Sequence, residues 1–197
     1  MNAFVLEAMP NKVPVVTGWN AHDVLTNDSP YYAGRPGTVG DRAGNFTVQN
    51  ADFLLVLGSR LNIRQVSYGW ANFAPHAYKV MVDADKSEIA KPTLKIDLPI
   101  HATLQEFIPA FMMALEGFQI QNSHAKEHAN YRQWCRERVA LYPVVTQEQK
   151  QSRLINPYVF MQTLFANLDR DDVVVTGNGS ACVISFQAAD IKDGQRL

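Results

Sequence analysis

Short, unbroken apolar runs alternate with amphipathic stretches along the first half of the chain. Val13–Thr17 (VPVVT), Phe53–Leu57 (FLLVL) and Val80–Asp83 (VMVD) are four or five residues long and rich in Val and Leu. Runs of that length predict strands buried on both faces, as in a parallel sheet covered by helices. Between the first two, Asp41 is placed to cap a helix reaching Ala51, with Phe46, Val48 and Ala51 as its apolar positions. After the third, Lys86–Lys91 predicts one helical turn and Leu94–Leu98 a further strand. Thr103 with Glu106 three residues on is a capping box. The helix it opens carries Leu104, Phe107, Ile108, Phe111 and Leu115 on one face, Gly117 is placed to end it, and Pro109 predicts a kink inside it. Strand, helix, strand, helix in this order predicts an α/β fold with an open, mostly parallel sheet.

The pattern then changes. Ser123–Tyr142 is polar, with Tyr131, Trp134, Cys135 and Arg138 on one face, which predicts a surface helix ended by Pro143. Thr146–Arg153 (TQEQKQSR) is almost without apolar residues and reads as a linker. Asn156-Pro157 gives an N-cap and an N1 proline, and the helix behind it presents Phe160, Met161, Leu164, Phe165 and Leu168. Val173–Val175 predicts a short buried strand, running into Thr176-Gly177-Asn178-Gly179-Ser180. These elements predict three parts: an α/β unit over 1–120, a surface helix and linker over 121–153, and the truncated start of a second α/β unit over 154–197. About forty residues are too few to bury a core of their own.

Composition narrows the classes. The chain has 197 residues, 47% hydrophobic and 19% charged, with 18 basic and 19 acidic side chains and a net charge of −1. That apolar fraction belongs to a globular chain, and the near-neutral balance argues against nucleic acid or an anionic membrane as the main partner. Two cysteines, Cys135 and Cys182, cannot build a disulfide framework or a four-cysteine zinc site. The N-terminal MNAFVLEAMPNKVPVV lacks a signal-peptide layout, and no apolar stretch approaches the roughly 18–20 residues a membrane span needs. The expected location is the cytoplasm.

Three turns follow predicted strand ends. Gly34-Arg35-Pro36-Gly37-Thr38-Val39-Gly40 stands directly before the helix capped by Asp41. Glycines allow a ligand close to the backbone and a helix N-terminus offers N–H groups to phosphate; ordinary turn chemistry explains the segment as well. Gly58-Ser59-Arg60-Leu61-Asn62-Ile63-Arg64 follows the second run, where open α/β sheets bind ligands. Its two arginines suit a diphosphate, or equally a solvated loop. Asp83 and Asp85 end the next strand, where a carboxylate can take ribose hydroxyls or cap a helix. No Walker loop or G-x-G-x-x-G fingerprint is present. His22, His76, His101, His124 and His128 form no ligand set, and no residue is assigned a catalytic or metal-binding role.

Taken in order, PVVTGWNAHD, GRPGTVGDRAGN, NADFLLVLGSRLNIRQVS and VMVDADKSEI resemble the central domain of thiamine-diphosphate enzymes of the acetolactate synthase type. INPYVFMQTLFANL and VVVTGNGSACVISFQ resemble the start of the C-terminal, diphosphate-binding domain of the same enzymes. The resemblance implies a fragment of a 2-oxo-acid decarboxylase or carboligase, in which thiamine diphosphate and Mg²⁺ serve the chemistry and FAD or ADP occupies the central domain of some members. It implies a small 2-oxo acid as substrate and a homo-oligomer. By position, Gly34, Arg35 and Gly37 match the loop against the dinucleotide, Gly58, Ser59 and Arg60 the strand-end turn, and Asp83 the acidic residue near the ribose. Gly18 and Trp19 fall where the family contacts FAD, Arg64 where many members carry arginine, and Gly177, Asn178, Gly179, Ser180 and Ala181 on the loop around the diphosphate tail. The chain departs from the acetolactate synthases at Ser180 and Ala181 (glutamine and histidine there), at Thr103 (aspartate) and at Asn62 (an acidic residue). Against the family's pattern, the activating-glutamate domain, the first strand of the nucleotide-binding-type central domain and the Gly-Asp-Gly metal motif are absent from this sequence, so the chain alone is expected to be inactive. The alternative is a free-standing, non-catalytic FAD- or ADP-binding module.

Overall fold

The computed structural model describes residues 13–116 and 122–197. Gly117, expected to end a helix, lies outside the described residues. Strands β1 (Phe53–Leu57), β2 (Tyr78–Asp83) and β3 (Leu98–His101) form one parallel sheet in the order β1-β2-β3. Phe53 stands opposite Tyr78 and Leu57 opposite Val82; Val80 stands opposite Leu98 and Asp83 opposite His101. The central strand is buried from Lys79 to Asp83, whereas the two edge strands are partly exposed. An α/β fold with an open parallel sheet is therefore what the chain adopts.

β1 coincides with the predicted run, and β2 begins two residues before its run. β3 starts at Leu98 rather than Leu94, because Leu94 drops into the core and pairing opens at Asp97. There the Lys79 amide donates to Asp97 Oδ2 (2.9 Å) and the Asp97 amide donates to the Lys79 carbonyl (3.0 Å). Pro99 is tolerated in β3 because an edge strand need not donate on its open side. Val13–Thr17 makes a single parallel bridge, Val15 to Tyr32, and no ladder. Val173–Val175 likewise makes one bridge, Val173 to Arg196, and it is not buried: Val173 is 67% and Val175 89% exposed. Both runs are apolar enough for a strand but have only one bridged neighbour each.

Eight α-helices lie among the described residues. Helix α1 (Arg42–Gln49) is capped by Asp41, α2 (Ile63–Val66) by Asn62, and α3 (Lys86–Ala90) by Asp85. Helix α4 (Leu104–Leu115) starts at the predicted capping box and continues through Pro109; its predicted apolar face is half-buried, and it packs on β2. Helix α5 (Asn122–Leu141) lies on α1, with the Tyr131 hydroxyl donating to the Thr47 carbonyl (2.5 Å) and Cys135 fully buried. The predicted linker contains a helical turn, α6 (Gln147–Lys150), because Thr146 and Gln149 form a capping box. Helix α7 (Pro157–Asn167) begins at Asn156-Pro157 as predicted, and α8 (Ser180–Ala188) follows the glycine turn.

Two cores result. Val48, Ala51, Val56, Leu61, Val66, Phe73, Ala77, Met81 and Leu94 close one side of the sheet. Phe165, Ala189 and Ile191 form a second, smaller cluster with Met161, Leu168 and Val174 around it. Burial of this kind contributes roughly 1.5–3 kcal/mol per large side chain.

Candidate cofactor-binding site

The glycine turns predicted at strand ends do gather there, because parallel strands release their loops at one edge of the sheet. The Gly58 amide donates to the Val82 carbonyl (2.9 Å), setting the turn after β1 beside the end of β2. Ser59 donates to Gln65 Oε1 (2.8 Å), and an added Cβ on Gly18 would meet that same Gln65 oxygen at 3.0 Å. The Thr38 amide (2.7 Å) and hydroxyl (3.1 Å) both donate to the Arg64 carbonyl. Gly37 has φ +146° and an ideal Cβ there would sit 2.7 Å from that carbonyl, so a side chain would force the two loops apart. Asn45 completes the lock, accepting from the Gly37 amide (2.9 Å) and donating to its carbonyl (3.1 Å). Gly18, Gly37, Ser59 and Arg64 are thus brought together around Gln65.

Arg60 and Leu61 sit at φ 57° and 46°, a conformation costing about 1–2 kcal/mol for each residue with a side chain. Lys91 holds them there, its ammonium donating to both carbonyls and pairing with Glu88 at 2.9 Å. Glu88 also faces the Arg60 guanidinium (3.7 Å), whose charge is therefore shared within the protein. Asp83 is 5% exposed; one carboxylate oxygen accepts from the Asp85 amide (2.9 Å), and the other is buried without a partner. Asp85 caps α3, and the Ser87 amide holds its carboxyl below the usual range. A cleft between the Gly37 turn, α1 and α2, lined by Gly37, Thr38, Asn45, Gln65 and Phe73 among others, measures about 100 Å³. Small-molecule pockets start at roughly 300 Å³, so a dinucleotide would have to lie along the loops rather than inside the cleft.

Arg35 takes a different position from the turn around it. It is 3% exposed, and its guanidinium donates to the carbonyls of Ala189 (2.9 Å) and Phe186 (3.3 Å) and to Asn27 Oδ1 (2.8 Å). Gly34 packs against Gly44 of α1. Trp19 and His22 flank the Phe186 ring, at centroid distances of 5.2 and 4.6 Å. Burial drives the His22 pKa down to about 3, and the Arg35 charge adds to it against the bond to the Trp19 carbonyl. Tyr32 is pushed up to about 12 by burial, and Asp41 is raised by burial although it accepts from the Gly44 and Arg35 amides.

The Gly177–Ala181 loop stands apart from the strand ends. All five residues are exposed, and a Cβ on Gly177 or Gly179 would meet nothing within 4 Å. Gly179, at φ 74°, caps α8 without a side-chain bond, so the first amides of a nine-residue helix have no side-chain acceptor. That arrangement fits a diphosphate. It does not fit Mg²⁺: the loop carries no carboxylate, and among the described residues no group of three or more His, Cys, Asp or Glu side chains is placed to hold a metal. Sequence reasoning did not single out Gln65, Asn45, Asn27 or Phe186. Polar amides and one aromatic carry no motif, and only their loop partners reveal them.

An open, three-stranded parallel sheet with flanking helices places the chain in the α/β class. Residues 8–111 match the family model described as thiamine pyrophosphate enzyme, central domain, and the chain belongs to that family. It is 30% identical over 115 residues to the acetolactate synthase isozyme 2 large subunit of Escherichia coli (strain K12), covering 58% of this chain and 21% of that protein. To the probable acetolactate synthase large subunit of Methanocaldococcus jannaschii it is 30% identical over 111 residues, 56% of this chain and 18% of the relative. To the acetolactate synthase large subunit of Corynebacterium glutamicum it is 24% identical over 180 residues, 91% of this chain and 28% of the relative. The chain thus spans between about a fifth and just over a quarter of the length of these relatives. No helix among the described residues is long and apolar enough to cross a membrane.

Proposed function

We propose that the chain is the central unit, and the opening of the cofactor unit, of a thiamine-diphosphate- and Mg²⁺-dependent 2-oxo-acid decarboxylase or carboligase resembling acetolactate synthase. The observation that carries this reading is the likeness to the Corynebacterium glutamicum relative over 91% of the chain. That share extends past the central-domain match at residue 111 into the Gly177–Ala181 loop. In this reading residues 1–120 form the central unit, 121–153 a surface helix and linker, and 154–197 the start of the cofactor unit. The parent acts on a small 2-oxo acid in the cytoplasm as a homo-oligomer.

Thiamine diphosphate, when bound, supplies the electron sink for decarboxylation. The residues of this chain bind and orient: the exposed amides at the head of α8 receive the diphosphate, and the glycines at 177 and 179 leave the loop open to it. The alternative, a free-standing non-catalytic FAD- or ADP-binding module, is not favoured: the unpartnered Asp83 oxygen at the strand ends is buried out of a ligand's reach.

Titration calorimetry of the purified chain with thiamine diphosphate, FAD and ADP separates the two, since each reading requires binding to the native state. Thiamine diphosphate is expected to bind, and to bind less well in Gly179→Val. Binding of FAD or ADP alone, with none of thiamine diphosphate, overturns the leading reading. The chain is expected not to decarboxylate pyruvate even with thiamine diphosphate and Mg²⁺, and CO₂ release above background refutes that.

A further inference from the structure

We propose that Arg35 is a positioning residue: it clamps the C-terminal end of α8 to the Val13–Gly40 segment and so fixes where the Gly177–Ala181 loop stands. The last carbonyls of a helix have no partner within it and carry its negative pole. Arg35 answers one of them, at Phe186, and the carbonyl of the C-cap residue Ala189, while Asn27 orients the guanidinium by accepting from Nη2 and receives the Ile191 amide (3.1 Å) on the same oxygen. The rest of that turn is held by the same segment. Phe186 sits between Trp19 and His22, and the Gln187 amide nitrogen donates to the Val39 carbonyl while its oxygen accepts from Tyr158 (2.8 Å). The head of α8 is bare by contrast, with Gly177–Ala181 exposed.

Helix α8 also packs on α7, but its head is bare, so a tilt about the clamp is levered there. Nine residues span about 13 Å at 1.5 Å per residue, so a tilt of ~10° at the clamp moves Ser180 by ~2 Å. That is enough to take the head of the helix out of register with an anion bound there. A buried guanidinium whose partners are carbonyls is also hard to replace, because a lysine offers one compact donor group where arginine offers a fork. Only the effect on ligand rests on reading the loop as the diphosphate site; the clamp does not.

The test uses the whole 197-residue chain and the variants Arg35→Met, Arg35→Lys and Gln187→Ala. Amide hydrogen exchange is followed over Val183–Ala189, with Val80–Val82 of β2 as the control for an intact fold. Alkylation of Cys182, in the first turn of α8, gives a second readout, Cys135 being fully buried. Arg35→Met is expected to raise both rates at least tenfold with β2 still protected, and Arg35→Lys to fall between it and the unmodified chain. Unchanged rates in Arg35→Met overturn the proposal. Should that variant fail to fold, Gln187→Ala decides it from the other side of the contact: a rise of about threefold supports the clamp and no change overturns it. Thiamine diphosphate affinity is expected to fall about tenfold in Arg35→Met with partial recovery in Arg35→Lys. If the unmodified chain binds no thiamine diphosphate, the reading of the loop fails while the exchange rates still decide the clamp.

Discussion

Replacing Gly44 by alanine should destabilise the chain, although the same change in an ordinary helix stabilises it. Gly44 lies inside α1, where alanine gains about 1 kcal/mol over glycine. An ideal Cβ there would stand 2.5 Å from the Arg35 nitrogen, 2.6 Å from the Pro36 nitrogen and 2.7 Å from the Arg35 carbonyl carbon. All three are backbone atoms, so no rotamer change relieves the contact. Overpacking of this kind costs about 1–3 kcal/mol. Moving the Arg35 backbone also breaks its amide's bond to the Asp41 carboxylate (2.7 Å), worth about 1.5–3 kcal/mol for a charged acceptor. The net is about 2–5 kcal/mol lost. With a urea slope of ~2 kcal/mol per M, the unfolding midpoint should fall by ~1–2.5 M. Gly177→Ala is the control: a Cβ there meets nothing within 4 Å, so its stability should stay within about 0.5 kcal/mol of the original and its midpoint within about 0.25 M. A Gly44→Ala midpoint that holds or rises refutes the close-approach argument.

Acid should weaken the fold through His22. Its folded pKa of about 3 lies below the ordinary 6.5, so the unfolded chain binds the proton more tightly. The stability it contributes is complete above pH 6.5 and is lost as pH falls from 6.5 towards 3. At 1.36 kcal/mol per unit, about 2 kcal/mol should disappear between pH 7 and pH 5. His22→Phe, which keeps a ring beside Phe186, should flatten that part of the urea-midpoint profile, and an unchanged slope counts against it. Phe165→Ala should cost about 3–5 kcal/mol, because Phe165 is fully buried at the centre of the second cluster. Its effect should be local: exchange should quicken in α7 and α8 well before β2, and uniform quickening would show that the two cores unfold as one.

What the sequence made legible followed from how local each signal is. The FLLVL run fixes β1 because a continuous apolar pentamer satisfies one requirement, burial on both faces, wherever it sits in a parallel sheet. Asp41, Asp85, Thr103 and Asn156 act within their own first turn, so their caps could be read directly. Val13–Thr17 and Val173–Val175 look the same in composition but became single bridges, since a strand also needs a neighbour and composition does not supply one. The turn at Gln147–Lys150 carries a local signal too, the Thr146–Gln149 capping box, but the absence of an apolar face makes the stretch read as a linker. The turns at strand ends could be placed, but not how they close. Asn45 holds the Gly37 turn through two bonds to backbone atoms eight positions away, and Gln65 accepts from the Ser59 hydroxyl six positions away; such bonds leave no spacing to read. Arg35 matches the family's loop against the dinucleotide only by position, and its burial against α8 depends on residues more than 150 positions later.

The knot of Asn27, Arg35, Ala189 and Ile191 has a consequence for the order of events during synthesis. Asn27 and Ile191 are 164 positions apart, so the first segment leaves the ribosome long before its partners exist. At about 5–20 residues per second, the wait is roughly 8–30 s. The β1-β2-β3 sheet, whose strands lie within fifty residues of one another, can form in that interval. The Arg35 side chain cannot: until α8 emerges it has no carbonyls to bind and remains in water. Assembly of the nascent chain therefore runs from the middle outwards, and the N-terminal segment is among the last to settle.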